Sequence, residues 1–187
     1  RLARMEEALR ALHIPCVQPE KADLAQAPEV QDLVALLDAL VSTAHDLSLA
    51  RALKSPLFGA DDALLTELAL LRRQERHAHL SWFDLLQKQE LLALDCSAIA
   101  ADLALYKEWV DSLPPHDALQ AIYEHGDVLA RFAACAPAPQ RAGVLANLRA
   151  LLGAALQQDG GRYLTPYAFV RALRKGGIAA PARADAQ

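Results

Sequence analysis

The sequence predicts an all-α fold, and three observations carry that expectation. Hydrophobic residues make up 53% of the 187 positions but aromatics only 5%, so the apolar content is largely Ala, Leu and branched aliphatics, a composition with high helix propensity. Apolar positions recur at helical spacing along most of the chain. Proline and glycine fall between those periodic stretches, where they stop helices, and rarely inside them. A chain of this length buries roughly two thirds of its unfolded surface, which is enough for a real core.

The elements follow in order. Residues 2–12 place Leu2, Met5, Leu9 and Leu12 on one helical side, with Arg4, Glu6, Glu7 and Arg10 elsewhere. Ile14 precedes Pro15 and is pushed out of the helical region, so residues 14–18 read as a short extended piece, an orphan strand with no second strand to pair with. Pro28 suits the first turn of a helix whose broad apolar face is Val30, Leu33, Val34, Leu37, Leu40 and Val41, and that breadth predicts burial. A helix from about residue 45 to Lys54 is stopped by Pro56, and Asp61 or Asp62 can cap the next, with Leu64, Leu65, Leu68 and Leu71 inward. Further helices are predicted at about 81–92, 97–113, 116–125, 127–135, 139–158 and 166–175. Their stops are Pro114-Pro115, Gly126, Pro137 and Gly160-Gly161, and Thr165 with Pro166 opens the last. Residues 178–187, rich in Ala and Pro, read as a frayed tail, and no fixed-period repeat is present.

Charge is polarised along the chain, which the net value of -4 hides. Arg72, Arg73, Arg76, His77 and His79 surround one acid, Glu75. Arg162, Arg171, Arg174, Lys175 and Arg183 run without an acid until Asp185, and an acidic middle separates the two sets. Cys16, Cys96 and Cys135 are odd in number and widely spaced, which supports neither a disulfide framework nor a zinc site. Every long apolar run is interrupted by charge before it could span a bilayer, so a cytoplasmic protein with no membrane partner is expected.

Reactive constellations are sparse. His45-Asp46 and His116-Asp117 invite comparison with metal phosphohydrolases, but both lie at expected helix starts, where the helix dipole favours Asp. His77 and His79, two apart, lack a third ligand at metal spacing. Ser42, Thr43 and Ser48 lack a glycine-flanked nucleophile turn, and no phosphate-binding G-x-x-x-x-G-K-[ST] occurs. Aromatic residues at helical spacing read as core, apart from Tyr163 and Tyr167, which interleave with Arg162, Arg171 and Arg174 as a stacking surface would.

One ordered series carries a family likeness. Arg4-Met-Glu-Glu-Ala-Leu9, His13-Ile-Pro15, Glu29-Val-Gln-Asp32, Asp46-Leu-Ser-Leu49 and Ser55-Pro-Leu-Phe-Gly59 succeed one another at natural separations. The series resembles the UvrD/Rep/RecB branch of superfamily 1 DNA helicases, nearest to the AddA or exonuclease V beta-subunit type. Weaker similarity continues through Asp117–Tyr123, Asn147-Leu148 and Gly160–Tyr167. The resemblance implies that residues 1–44 are a severed piece of the second RecA-like motor lobe (2A), that 45–177 form the inserted helical 2B subdomain, and that 178–187 are a flexible tail.

It further implies a regulatory, duplex-contacting module of a helicase or helicase-nuclease that repairs broken DNA. ATP and Mg would belong to the parent enzyme and no cofactor to this segment; the partners would be duplex or single-stranded DNA, the remaining motor lobes and a nuclease subunit. The family's P-x-x-G-x-G hairpin, which grips duplex, corresponds to Pro56–Asp61, where Gly59 fits the first glycine and Asp61 replaces the second. DNA-contacting residues expected on this basis, together with the two basic sets, are Lys54, Ser55, Gly59, Arg72, Arg73, Arg76, Arg162, Arg171, Arg174 and Lys175. No catalytic or metal-ligating residue is assigned. Two other readings stay open at this point: a non-catalytic helical module that docks a protein partner, and the phosphohydrolase built on the two His-Asp pairs.

Overall fold

The computed structural model describes residues 23–157 and 165–175, and every regular element among them is helical. The expected helix at 2–12, the extended piece at 14–18, Arg162, Tyr163 and the tail lie outside the described residues. The α-helices are α1 (Pro28–Val41), α2 (Asp46–Lys54), α3 (Asp62–Arg72), α4 (Trp82–Leu86), α5 (Ser97–Ser112), α6 (Pro115–His125), α7 (Val128–Cys135), α8 (Arg141–Gln157) and α9 (Pro166–Lys175). Short 3-10 turns at Leu24–Gln26, Glu75–His77 and Gln89–Leu91 fill the connections.

Helix α1 is the axis of the molecule. Eight successive residues from Leu33 to Leu40 are buried, so it is covered on all sides and not along one stripe. It packs against α2, α5, α8 and α9. Burying each of its Leu and Val side chains contributes about 1.5–3 kcal/mol, so this one element carries much of the hydrophobic stabilisation. Leu24, the α1 residues and apolar side chains from every later α-helix belong to a single buried cluster. No break in packing marks position 44 among the described residues.

Several local expectations are met atom by atom. Pro28 sits in the first turn of α1. Asp61 caps α3 by accepting from the Leu64 amide at 3.0 Å. Pro115 and Pro166 open α6 and α9, and Thr165 Oγ1 accepts the Ala168 amide. The helix expected at 81–92 is shorter. A reciprocal capping box between Ser81 and Asp84 starts it, but it ends at Leu86. Gln87 instead donates to the Ala100 carbonyl, and Gln89 bridges the Leu94 carbonyl to the Cys96 amide and thiol. Long-range amide contacts outweigh local helix propensity in that segment.

The two His-Asp pairs lie at helix starts as expected, but Asp46 does more than face a helix dipole. Asp46 and Asp117 do sit in the first turns of α2 and α6, where the dipole favours an acid. Asp46 spends its carboxylate on distant groups, the Trp82 amide and the Arg72 guanidinium, and so ties α2 to α3 and to the start of α4.

Candidate nucleic-acid interface

The break after α2 is a packed turn. Gly59 has φ +61°, the left-handed region that the sequence requires of a glycine there. Every available amide from Leu57 to Ala60 is consumed inside the turn. Leu57 N–H donates to Ser55 Oγ, Phe58 and Gly59 N–H both donate to the Ser55 carbonyl, and Ala60 N–H donates to the Leu53 carbonyl. A phosphate group would need those amides free, and the four from Leu57 to Ala60 are already taken. Ser55 is buried and donates to the Ala52 carbonyl, which closes it to a ligand as well.

What the turn does is hold the core together. Leu57 is buried, its carbonyl accepts from Arg131, and Phe58 lies 6.3 Å from the Tyr106 ring. Tyr106 stacks on Trp109 at 5.7 Å, meets the His125 ring edge-on and shares a hydrogen bond with His125 Nδ1. Burial first, then the charge of Asp102, pushes the Tyr106 phenol up to about 12, so it stays protonated at any physiological pH.

One member of each basic set ties down the start of α2. Arg72, at the end of α3, binds Asp46; Arg174, at the end of α9, reaches Asp38 Oδ2 at 2.8 Å and Ser48 Oγ at 3.3 Å. Asp46 and Ser48 both lie in the first turn of α2, so cations a hundred positions apart in sequence anchor the same helix start. Asp38 is itself buried, and the same Oδ2 also accepts from Ser48 Oγ and contacts His45 Nδ1 at 3.0 Å. His45 and Asp46 therefore belong to separate networks, and neighbouring positions do not act as a ligand pair. His116 Nδ1 lies 3.1 Å from Asp117 Oδ1. No group of three metal-ligating side chains gathers among the described residues.

Pairing sorts the expected DNA-contacting cations. Arg72 and Arg174 are committed to carboxylates, Lys54 pairs with Asp62 at 2.8 Å on the surface, and Arg76 Nε donates to Gln74. Arg73, Arg171 and Lys175 are exposed and carry no pairing contact among the described residues. Sequence reasoning could not separate the two kinds, because Asp38 and Arg174 are 136 positions apart.

Helix α9 presents the clearest surface. Phe169, Val170 and Leu173 are buried against the body, while Tyr167, Arg171 and Lys175 face solvent at intervals of four residues. Its sequence holds no acid. Tyr167 is 61% exposed, and it is the one aromatic among the described residues left this open. No family model matches the chain, and no curated protein matches it.

Proposed function

We propose that this helical module contacts duplex DNA, as a regulatory subdomain of an ATP-driven helicase or helicase-nuclease engaged in double-strand break repair. The observation that carries the DNA contact is the open face of α9, where two cations with no partner among the described residues and an aromatic ring stand on a helix without acids. The ordered motif series up to Ser55–Gly59 supplies the helicase assignment. The fold positions the face through α1, on which α9 packs and from which Asp38 holds Arg174.

In this reading the module contributes phosphate contacts and no chemistry. ATP and Mg belong to motor lobes elsewhere in a longer chain, a nuclease acts through the same chain or a partner subunit, and the enzyme works in the cytoplasm. Phosphate contacts fix position without reading sequence, and each releases counterions. Arg73, Arg171 and Lys175 together give a slope of about -3 for log affinity against log salt, from about -0.9 per neutralised phosphate.

Duplex binding measured across a salt titration tests this. The expected result is weak binding that falls steeply with salt and is lost when the three cations are replaced by Ala. Affinity that stays flat with salt, or survives the triple replacement, overturns the reading.

A second reading, docking of a protein partner, draws on α3. Leu70 is 57% exposed beside an open groove lined by Ala63, Thr66, Glu67 and Leu71. Leu70→Asp would abolish partner capture in that case and leave DNA affinity unchanged.

A further inference from the structure

We propose that Tyr167 is a stacking platform for an unpaired base, so that the α9 face prefers a duplex carrying a single-stranded overhang to a blunt one. The inference rests on the DNA-contact reading above and specifies the form of DNA that the face takes. Three observations support it. The other described Phe, Tyr and Trp rings have protein neighbours: Phe58, Tyr106 and Trp109 form one group of ring contacts with His125, Phe83, Tyr123, Phe132 and Phe169 are buried, and Trp82 packs on the core. Among the described Phe, Tyr and Trp residues only Tyr167 is more exposed than buried.

Its neighbours on the helix suit a nucleotide strand. Arg171 lies one turn on and Lys175 a second, each step about 6 Å along the axis from a rise of about 1.5 Å per residue. That spacing is close to two base steps of about 3.4 Å in a strand, so phosphates following a stacked base fall within reach of both cations. Arg171 and Lys175 have no carboxylate partner to displace among the described residues, whereas Arg174 at the rim of the face is held by Asp38. A base stacked on a tyrosine ring gains by desolvating both flat faces, whatever the base is. A blunt duplex keeps its bases stacked on one another and offers the ring only a terminal pair.

The test compares a blunt duplex with the same duplex bearing a short thymine overhang, using fluorescence anisotropy on the whole 187-residue chain. A 2-aminopurine at the first unpaired position reports stacking directly. The overhang is expected to bind about fivefold tighter, with the 2-aminopurine quenched. Tyr167→Ala removes the preference and the quenching, and Tyr167→Phe keeps both. Arg171→Ala weakens both duplexes alike. Equal affinity for the two duplexes, or a preference that survives Tyr167→Ala, overturns the stacking inference and leaves the phosphate-contact reading standing. Failure of both duplexes to bind overturns both readings.

Discussion

Arg174 on α9 reaches Asp38 on α1 at 2.8 Å, joining residues 136 positions apart through a carboxylate that is almost wholly buried. The guanidinium is half exposed, so the pair is screened from its outer side. Asp38 Oδ2 serves Arg174, His45 and Ser48 together, and removing it strands three partners at once. Asp38→Ala is expected to cost about 1–3 kcal/mol, and Arg174→Ala about 1 kcal/mol or less, because His45 and Ser48 still satisfy the carboxylate. Denaturant midpoints check the order. A larger loss for Arg174→Ala than for Asp38→Ala would contradict the hub described for Asp38.

The same pairing predicts a functional split between two arginines on one helix. Arg171→Ala is expected to leave the unfolding midpoint unchanged and to lower the salt slope of duplex binding by about 0.9. Arg174→Ala is expected to move the midpoint and change the slope less, since its charge is already met by Asp38. Equal slopes for the two variants would show that the ion pair opens when DNA binds.

Two glycines fail for opposite reasons when replaced by alanine. Gly59 has open space around the position of a Cβ but a left-handed backbone, so Gly59→Ala costs about 1–2 kcal/mol from conformation alone. Gly126 has ordinary φ of -81°, yet a Cβ there would stand 2.6 Å from Leu57 Cδ1 and 2.8 Å from the Tyr106 hydroxyl. Both neighbours are buried, so neither moves aside freely. Gly126→Ala is expected to cost about 1–3 kcal/mol by overpacking. In a Leu57→Ala background Gly126→Ala should cost less than in the native chain, whereas Gly59→Ala should cost the same; thermal unfolding of the three single variants and the two doubles decides.

The sequence revealed the helices where periodicity and punctuation agreed, as at Pro28–Val41 and Asp62–Arg72, and it revealed the left-handed turn through Gly59. It did not reveal which cations are free. Arg72 and Arg174 look like members of basic patches until the fold brings Asp46 and Asp38 against them, and only tertiary geometry does that. Gly126 illustrates the same limit. Its neighbours show a helix stop, while the reason for glycine lies in the approach of Leu57 and Tyr106 from elsewhere in the chain. Tyr167 could be singled out beside Arg171 because one helical turn separates them, and local spacing is what sequence reads well.

The two described thiols should react at different rates. Cys96 is buried and its thiol is pushed up by that burial first, then by the charges of Asp95 and Glu67, so little thiolate is available. Cys135, at the end of α7, is exposed. Brief alkylation of the folded protein followed by peptide mapping is expected to modify Cys135 well before Cys96. Equal labelling would mean that the α4–α5 connection opens on the labelling time scale.

His77 makes folding sensitive to mild acid. It is buried in the turn between α3 and α4, and its Nε2 has no hydrogen-bond partner. Its pKa is held below the ordinary 6.5, by desolvation first and then by the charges of Arg76, His79 and Lys88, all of which oppose a further proton. The unfolded chain therefore binds a proton at His77 more readily than the folded one. With more protons on the unfolded side, stability rises with pH; His77's contribution is complete above about pH 7.5, begins to fall near the unfolded value of about 6.5 and is lost as pH passes below the lower folded value. Chemical denaturation at about pH 7.5 and about pH 5.5 should show a larger loss for the native chain than for His77→Leu, which cannot take up the proton. A loss of the same size in both would show that the acid sensitivity resides in other groups.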